Sequence, residues 1–238
     1  MRKDPTSPAP APTTAAGEPA TVRGEQTKRL IVSTALRMFR ENGYEQTTMR
    51  AIAKEAGVSV GNAYYYFGSK DHLIEAFYED MQDAHREHAA PVLAASTDFG
   101  ERLRGTFQAG IDALGPYHEF AAKFFKSAAE PTSPLHPLSP ESAPARGASI
   151  ALFRDVLEGS DAKVDKELRG ELPELLQLLY LGIILFWVHD LSPEQRKTRL
   201  LIDRLTPMID RLVGLSRLRI LRPMSRELLD LIAALKDD

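Results

Sequence analysis

Residues Thr47-Thr-Met-Arg-Ala-Ile-Ala-Lys-Glu-Ala-Gly-Val-Ser-Val-Gly-Asn-Ala-Tyr-Tyr-Tyr-Phe-Gly-Ser-Lys70 decide the fold. They read as two short helices joined by a tight turn. Thr47 or Thr48 caps the first, because a hydroxyl there accepts from an otherwise unpaired amide. Ile52, Ala53 and Ala56 form its buried face, and Gly57 stops it by supplying a left-handed residue. Val58 packs inward and Ser59 caps a second helix running to about Phe67. Ala53 and Gly57 are small where two helices cross closely. Val60, Gly61, Tyr64 and Tyr65 are left on the start and outer face of the second helix, the surface that enters a DNA major groove in a helix-turn-helix.

The pattern Thr-Thr-x-Arg-x-Ile-Ala, then Ala-Gly-Val-Ser-x-Gly-x-x-Tyr-x-Tyr-Phe-x-Ser-Lys, resembles the DNA-binding domain of the TetR family of transcriptional regulators over roughly residues 25–80. The resemblance implies an all-α protein in which a three-helix DNA-binding head is joined to a larger α-helical ligand-binding and dimerisation body. The implied organisation is a disordered Pro/Ala-rich tail at 1–22, a helix-turn-helix domain at 23–70 and the body at 71–238. It further implies a homodimer that represses from a near-palindromic double-stranded DNA operator until a small molecule releases it. Carried onto this chain, Thr48, Tyr64 and Lys70 hold phosphates. Arg50, Val60, Gly61, Asn62 and Tyr65 meet base edges or sugars. Val60 departs from the polar residue expected for direct readout and suits a thymine methyl.

A competing motif overlaps this stretch. Gly57-Val-Ser-Val-Gly61 spells the nucleophile elbow of α/β-hydrolases, but that elbow follows a buried strand and this one follows a helix. No phosphate loop, dinucleotide-binding turn or zinc motif accompanies it, so the reading is not an enzyme and requires no cofactor or metal. His85 and His88, one turn apart, read as a solvated helix face. The alternative functions are a helical metabolite-binding protein that keeps the head without regulating, and a sequence-neutral architectural DNA-binding protein.

Composition sets the frame. The chain has 238 residues, 43% of them hydrophobic, which is enough to bury a substantial core. It has no cysteine, which removes disulfides and thiolate chemistry and fits the reducing cytoplasm. The net charge of −3 does not announce a nucleic-acid binder. Between Val22 and Lys70, however, Lys and Arg outnumber Glu, and phosphate binding needs only a locally positive face.

Helical spacing predicts a first helix over Glu25–Asn42 and a fourth from Ser69 to about His88, closed by Pro91. A fifth spans Asp98–Gly115, and another begins at Pro116 with an aromatic face of Phe120, Phe124 and Phe125. Prolines between Glu130 and Pro144 mark an irregular loop, and a helix resumes from about Ala145 to Glu158. Glu174–Asp190 is apolar on nearly every face. It is too short and too charged at its ends for a membrane span, and so reads as a helix buried on all sides, half of it by a second subunit. Ser192 caps the next helix, Pro193 to about Leu215, with a stripe of Leu201, Leu205, Met208, Ile209 and Leu212. Two such helices from each chain make a four-helix dimer core through 174–190 and 193–215. A last helix covers Ser225–Lys236. Candidate ligand-binding residues are Phe107, Ile111, Phe120, Phe124, Tyr180, Ile184 and Trp187, a set with no fixed basic group that favours an apolar or aromatic inducer.

Overall fold

Most helices begin where the sequence supplies an acceptor for unpaired helix amides. Thr48 accepts from the Ala51 amide, Ser59 from Asn62, Ser69 from His72, Asp98 from Glu101 and Asp165 from Glu167. The computed structural model describes residues 20–118, 121, 136, 139, 140 and 142–216, and among these every regular element is helical. The α-helices are α1 (Ala20–Asn42), α2 (Met49–Glu55), α3 (Val60–Tyr66), α4 (Lys70–Ala95), α5 (Phe99–Leu114), α6 (Ala143–Glu158), α7 (Lys166–Val188) and α8 (Arg196–Leu215). Short 3₁₀ turns follow α5 at Gly115–Tyr117 and precede α8 at Pro193–Gln195. The predicted tail lies outside the described residues up to position 19, as do Phe120, Phe124, Phe125, most of the Pro-rich loop and the predicted helix over Ser225–Lys236.

The apolar side chains gather into two main clusters. Ile31, Phe39, Ile52, Ala63, Phe67, Leu73 and Phe77 knit α1 to α4. Phe99, Leu103, Phe107, Phe153, Trp187 and Ile202 join α5 to α8. The long helix α4 belongs to both regions, since it also packs closely along α5 and α6.

Several sequence expectations are corrected. α1 starts at Ala20, five residues ahead of Glu25, and passes with Gly24 next to the Tyr66 hydroxyl of α3. α4 runs through Pro91 to Ala95. Proline denies a hydrogen bond only to the carbonyl one turn earlier, at Glu87, and both residues are exposed, so the break falls on the solvent side of the helix. His85 is not on a solvated face: it is 2% exposed, and its Nε2 lies 2.8 Å from the Thr106 carbonyl of α5. α7 begins at Lys166, eight residues before Glu174, and contains Pro173. It is the one described helix long and apolar enough to cross a membrane, and 44% of that apolar stretch is buried against its neighbours.

Ser192 makes no cap bond within the 3₁₀ turn, but its hydroxyl accepts from the Lys197 amide in the first turn of α8 at 3.0 Å. Asp190 organises this corner: its carboxylate accepts from the amide and hydroxyl of both Ser192 and Thr198, at 2.6–2.9 Å. Burial alone would raise its pKa, but these four hydrogen bonds outweigh that and hold it well below the usual carboxylate range. They also support Glu194 and Gln195 at φ of 54° and 50°. The α8 stripe is divided. Ile202, Thr206 and Val213 face the core, whereas Met208 and Leu212 are 58% and 59% exposed.

Candidate nucleic-acid interface and ligand cavity

The turn between α2 and α3 is built by Gly57 at φ +67°, with the Val58 amide donating to the Ala53 carbonyl at 3.0 Å. Ala53 and Ala63 are fully buried, so the two helices cross on methyl groups. This rigid crossing sets the outward face. Tyr65 is 82% exposed, Tyr64 51% and Val60 37%, and Gly61 and Asn62 are exposed beside them. No atom lies within 4 Å of where a Gly61 side chain would begin, so the start of α3 can approach a surface closely. Thr48 and Arg50 are exposed at the start of α2.

Lys70 opens α4. Its Nζ donates to the Tyr44 carbonyl at 2.8 Å and stands 4.2 Å above the Tyr44 ring. The Tyr44 hydroxyl donates to the Asp71 carboxylate, and burial first, then this bond, raises the phenol pKa. The knot fixes the end of α1 to the start of α4. Lys70 therefore has a structural task and remains half-exposed at the rim of the same face.

A cavity of about 460 Å³ lies between α4, α5, α6 and α7. That size falls within the range of small-molecule sites. Tyr180, Ile184 and Trp187 line it, as sequence reading placed them. Phe107 and Ile111 do not. Both are fully buried in the core behind it, where Phe107 stacks on Tyr180 at 6.1 Å and packs against Phe153 at 5.5 Å. Phe120 and Phe124 lie outside the described residues. Sequence reading missed Phe77, Tyr78, Met81 and His85 on α4, Arg146 and Ser149 on α6, and Gln177 on α7. The signal was present for α4, where positions 78, 81 and 85 follow one helical stripe. Arg146 also qualifies the expectation of a site without a basic group: it is half-buried, and its guanidinium donates to the Ser139 carbonyl at 3.3 Å. No group of metal-ligating side chains occurs among the described residues.

Phe77 connects the two regions. It is 6% exposed in the core of the head, lines the cavity, and meets the Tyr117 ring edge-on at 5.2 Å.

Residues 31–77 match the family model for bacterial regulatory proteins of the tetR family. Residues 102–232, more than half of the chain, match that of the tetracyclin repressor-like C-terminal domain. The chain belongs to the TetR family. Among its TetR-family relatives is the HTH-type transcriptional repressor KstR2 of Mycolicibacterium smegmatis, 32% identical over 101 residues, or 42% of this chain and 47% of that one. The HTH-type transcriptional regulator HbdR of Aromatoleum sp. is 35% identical over 79 residues, 33% of this chain and 34% of that protein. The chain thus spans about half or less of the length of these curated relatives. Similar solved structures include a TetR regulator from Nitrosomonas europaea, with TM-score 0.58, 23% identity and coverage of 76% of this chain and 96% of that one. Bacillus subtilis FadR in complex with stearoyl-CoA is also similar, with TM-score 0.59, 18% identity and coverage of 78% and 98%. At these identities the structures report a shared TetR fold.

Proposed function

We propose that this chain is a cytoplasmic DNA-binding transcriptional regulator, a repressor that binds a near-palindromic operator as a homodimer and is released by a small, mainly apolar ligand in the cavity. The proposed domain division is a tail ahead of α1, a reading head through residue 70 and a sensing and dimerising body from 71, whose first helix α4 also packs into the core of the head. The observation that carries the ligand response is the double role of Phe77, a core residue of the head and a wall residue of the cavity. A ligand that pushes on Phe77, Tyr78 and Met81 acts on the helix that carries the head. The ligand shifts the population only in so far as it prefers the arrangement that does not fit DNA.

In this reading the Tyr64 hydroxyl, Thr48 and Lys70 hold phosphates. Arg50, Val60, Gly61, Asn62 and Tyr65 face the groove. Lys70→Ala should weaken binding to all duplexes alike and reduce the slope of log affinity against log salt by about one for each half-site, about two for the dimer. Titrations at several salt concentrations, paired with thermal melting, test this. An unchanged slope with a lowered melting temperature would confine Lys70 to its knot with Tyr44.

Dimerisation is supported by apolar side chains that stay exposed among the described residues. Leu178, Leu185 and Phe186 on α7 and Met208, Leu212 and Leu215 on α8 are between 43% and 59% exposed. Such a surface is costly to leave in water and suits a four-helix interface. Phe186→Glu with Leu212→Glu should give a folded monomer in sedimentation at concentrations where the parent is a dimer. Operator affinity should fall by at least about a hundredfold as one half-site's contacts are lost. A dimer that survives both charges, still binding DNA, would place the interface elsewhere.

A further inference from the structure

The walls of the cavity carry polar atoms that no neighbour satisfies. His85 Nδ1, Ser149 Oγ and Gln177 Oε1 are buried, and none has a hydrogen-bond partner among the described residues. They come from α4, α6 and α7, and all three residues line the cavity. Unpaired buried polar atoms are costly and ordinarily find partners, so such a set around an open volume marks where a ligand's polar group belongs.

The chemistry of that group follows from the tautomer of His85. Its Nε2 is 2.8 Å from the Thr106 carbonyl, which can only accept, so Nε2 carries the proton. Burial first of all lowers the His85 pKa to about 4, with smaller contributions in the same direction from His88 and Arg86 against the opposing Thr106 bond. The ring is therefore neutral near pH 7, and Nδ1 presents a lone pair. The ring cannot readily turn away, because Tyr180 packs on it at 4.9 Å and Phe153 meets its edge at 6.4 Å. A side chain at Gly110 would begin 2.9 Å from His85 Cε1 and 2.1 Å from the Tyr180 hydroxyl, so glycine makes the room in which these two rings are seated. Arg146 is the only side chain on the described wall that is always charged, and its guanidinium already donates to Ser139.

We propose that the ligand of this cavity is a neutral, mainly apolar molecule bearing a hydrogen-bond donor, such as a phenol or alcohol hydroxyl, which donates to His85 Nδ1, with Gln177 and Ser149 completing the polar end. The proposal rests on the reading of the cavity as the regulatory site and specifies what enters it. An acyl thioester carbonyl offers only acceptors: it would pair with the unpaired Trp187 indole N–H on the same wall but leave His85 Nδ1 without a donor.

The test is a series of 4-alkylphenols, from ethyl to octyl, each paired with its methyl ether and titrated calorimetrically into the full chain, with lauroyl-CoA as a competitor. At least one phenol should bind about tenfold more tightly than its ether, the worth of one hydrogen bond to a buried acceptor. In His85→Phe the phenol-to-ether ratio should fall to near one with ether binding retained. Because that variant also loses the Thr106 bond, the parent protein provides an independent readout in histidine ¹⁵N shifts. Free His85 should show a protonated Nε2 and an unprotonated Nδ1, and phenol should move the Nδ1 signal alone. Equal affinity of phenols and ethers, failure of every phenol to bind, the opposite tautomer, or lauroyl-CoA binding above all phenols would overturn the proposal. Phenols that bind selectively yet leave a DNA complex intact would uphold the donor rule and remove the regulatory reading instead.

Discussion

Tyr64→Ala should lose operator-specific binding by about a hundredfold while the dimer and the melting temperature stay unchanged. Tyr64 is half-exposed on α3, so its removal takes little from the core of the head. The helix itself keeps its Ser59 cap and its buried Ala63. On the proposed function, what is lost is a phenol hydroxyl donating to a phosphate. Such a charge-assisted bond is worth about 1.5 kcal/mol, and the two half-sites together give about 3 kcal/mol, or roughly a hundredfold. Fluorescence anisotropy with a fixed duplex, beside sedimentation and melting of the same samples, separates recognition from folding. A parental binding curve would mean that α3 does not face the DNA backbone as proposed. A loss of dimer would mean that the substitution acts on folding.

The largest effect on stability is expected at Arg102. Its buried guanidinium donates to the Val156 carbonyl at 2.9 Å, the Asp155 carbonyl at 2.7 Å, the Ser96 carbonyl at 2.8 Å and the Leu93 carbonyl. These oxygens stand at the C-terminal ends of α4 and α6, where helix carbonyls lack intrahelical partners and the dipole favours a cation. One side chain on α5 thereby joins the end of α4 to the end of α6. Gly159 leaves room for it, since a side chain there would begin 2.2 Å from Nη2. Arg102→Leu keeps the aliphatic bulk but leaves three carbonyls unpaired, since Asp155 retains the bond from the Gly159 amide. At about 1 kcal/mol for each buried group left without a partner, the loss should reach about 3 kcal/mol. Urea unfolding of parent and variant measures it. A loss below about 1 kcal/mol would show that water reaches these helix ends as readily as the guanidinium does.

The contrast between Tyr64 and Arg102 shows which parts of the molecule were legible in the sequence. The head is written in local signals: a cap at Thr48, a left-handed stop at Gly57, a second cap at Ser59 and methyl-sized residues at the crossing. Each acts within a few residues, so spacing alone exposes it. The body depends on contacts between distant residues, such as Arg102 with Val156 or His85 with Thr106. A lone arginine or histidine on a helix carries no mark of the partner that will bury it. Pro91 misled for a related reason: it reads as a helix boundary, yet α4 runs past it to Ala95. Among the ligand candidates, Phe107 and Tyr180 share an aromatic stack, but only Tyr180 reaches the cavity wall. Periodicity identifies an apolar face without saying which members close a core and which border an empty volume.

The most direct measurement of the central claim is selection of bound duplexes from a random library with the purified full chain at fixed salt. The proposed regulator should enrich one two-fold symmetric motif, with half-sites centred about one helical turn apart to suit a dimer presenting two α3 helices. Scrambling either half should then cut affinity sharply. Recovery of unrelated duplexes with equal, salt-sensitive affinity would contradict sequence-specific regulation and point to neutral packaging of DNA.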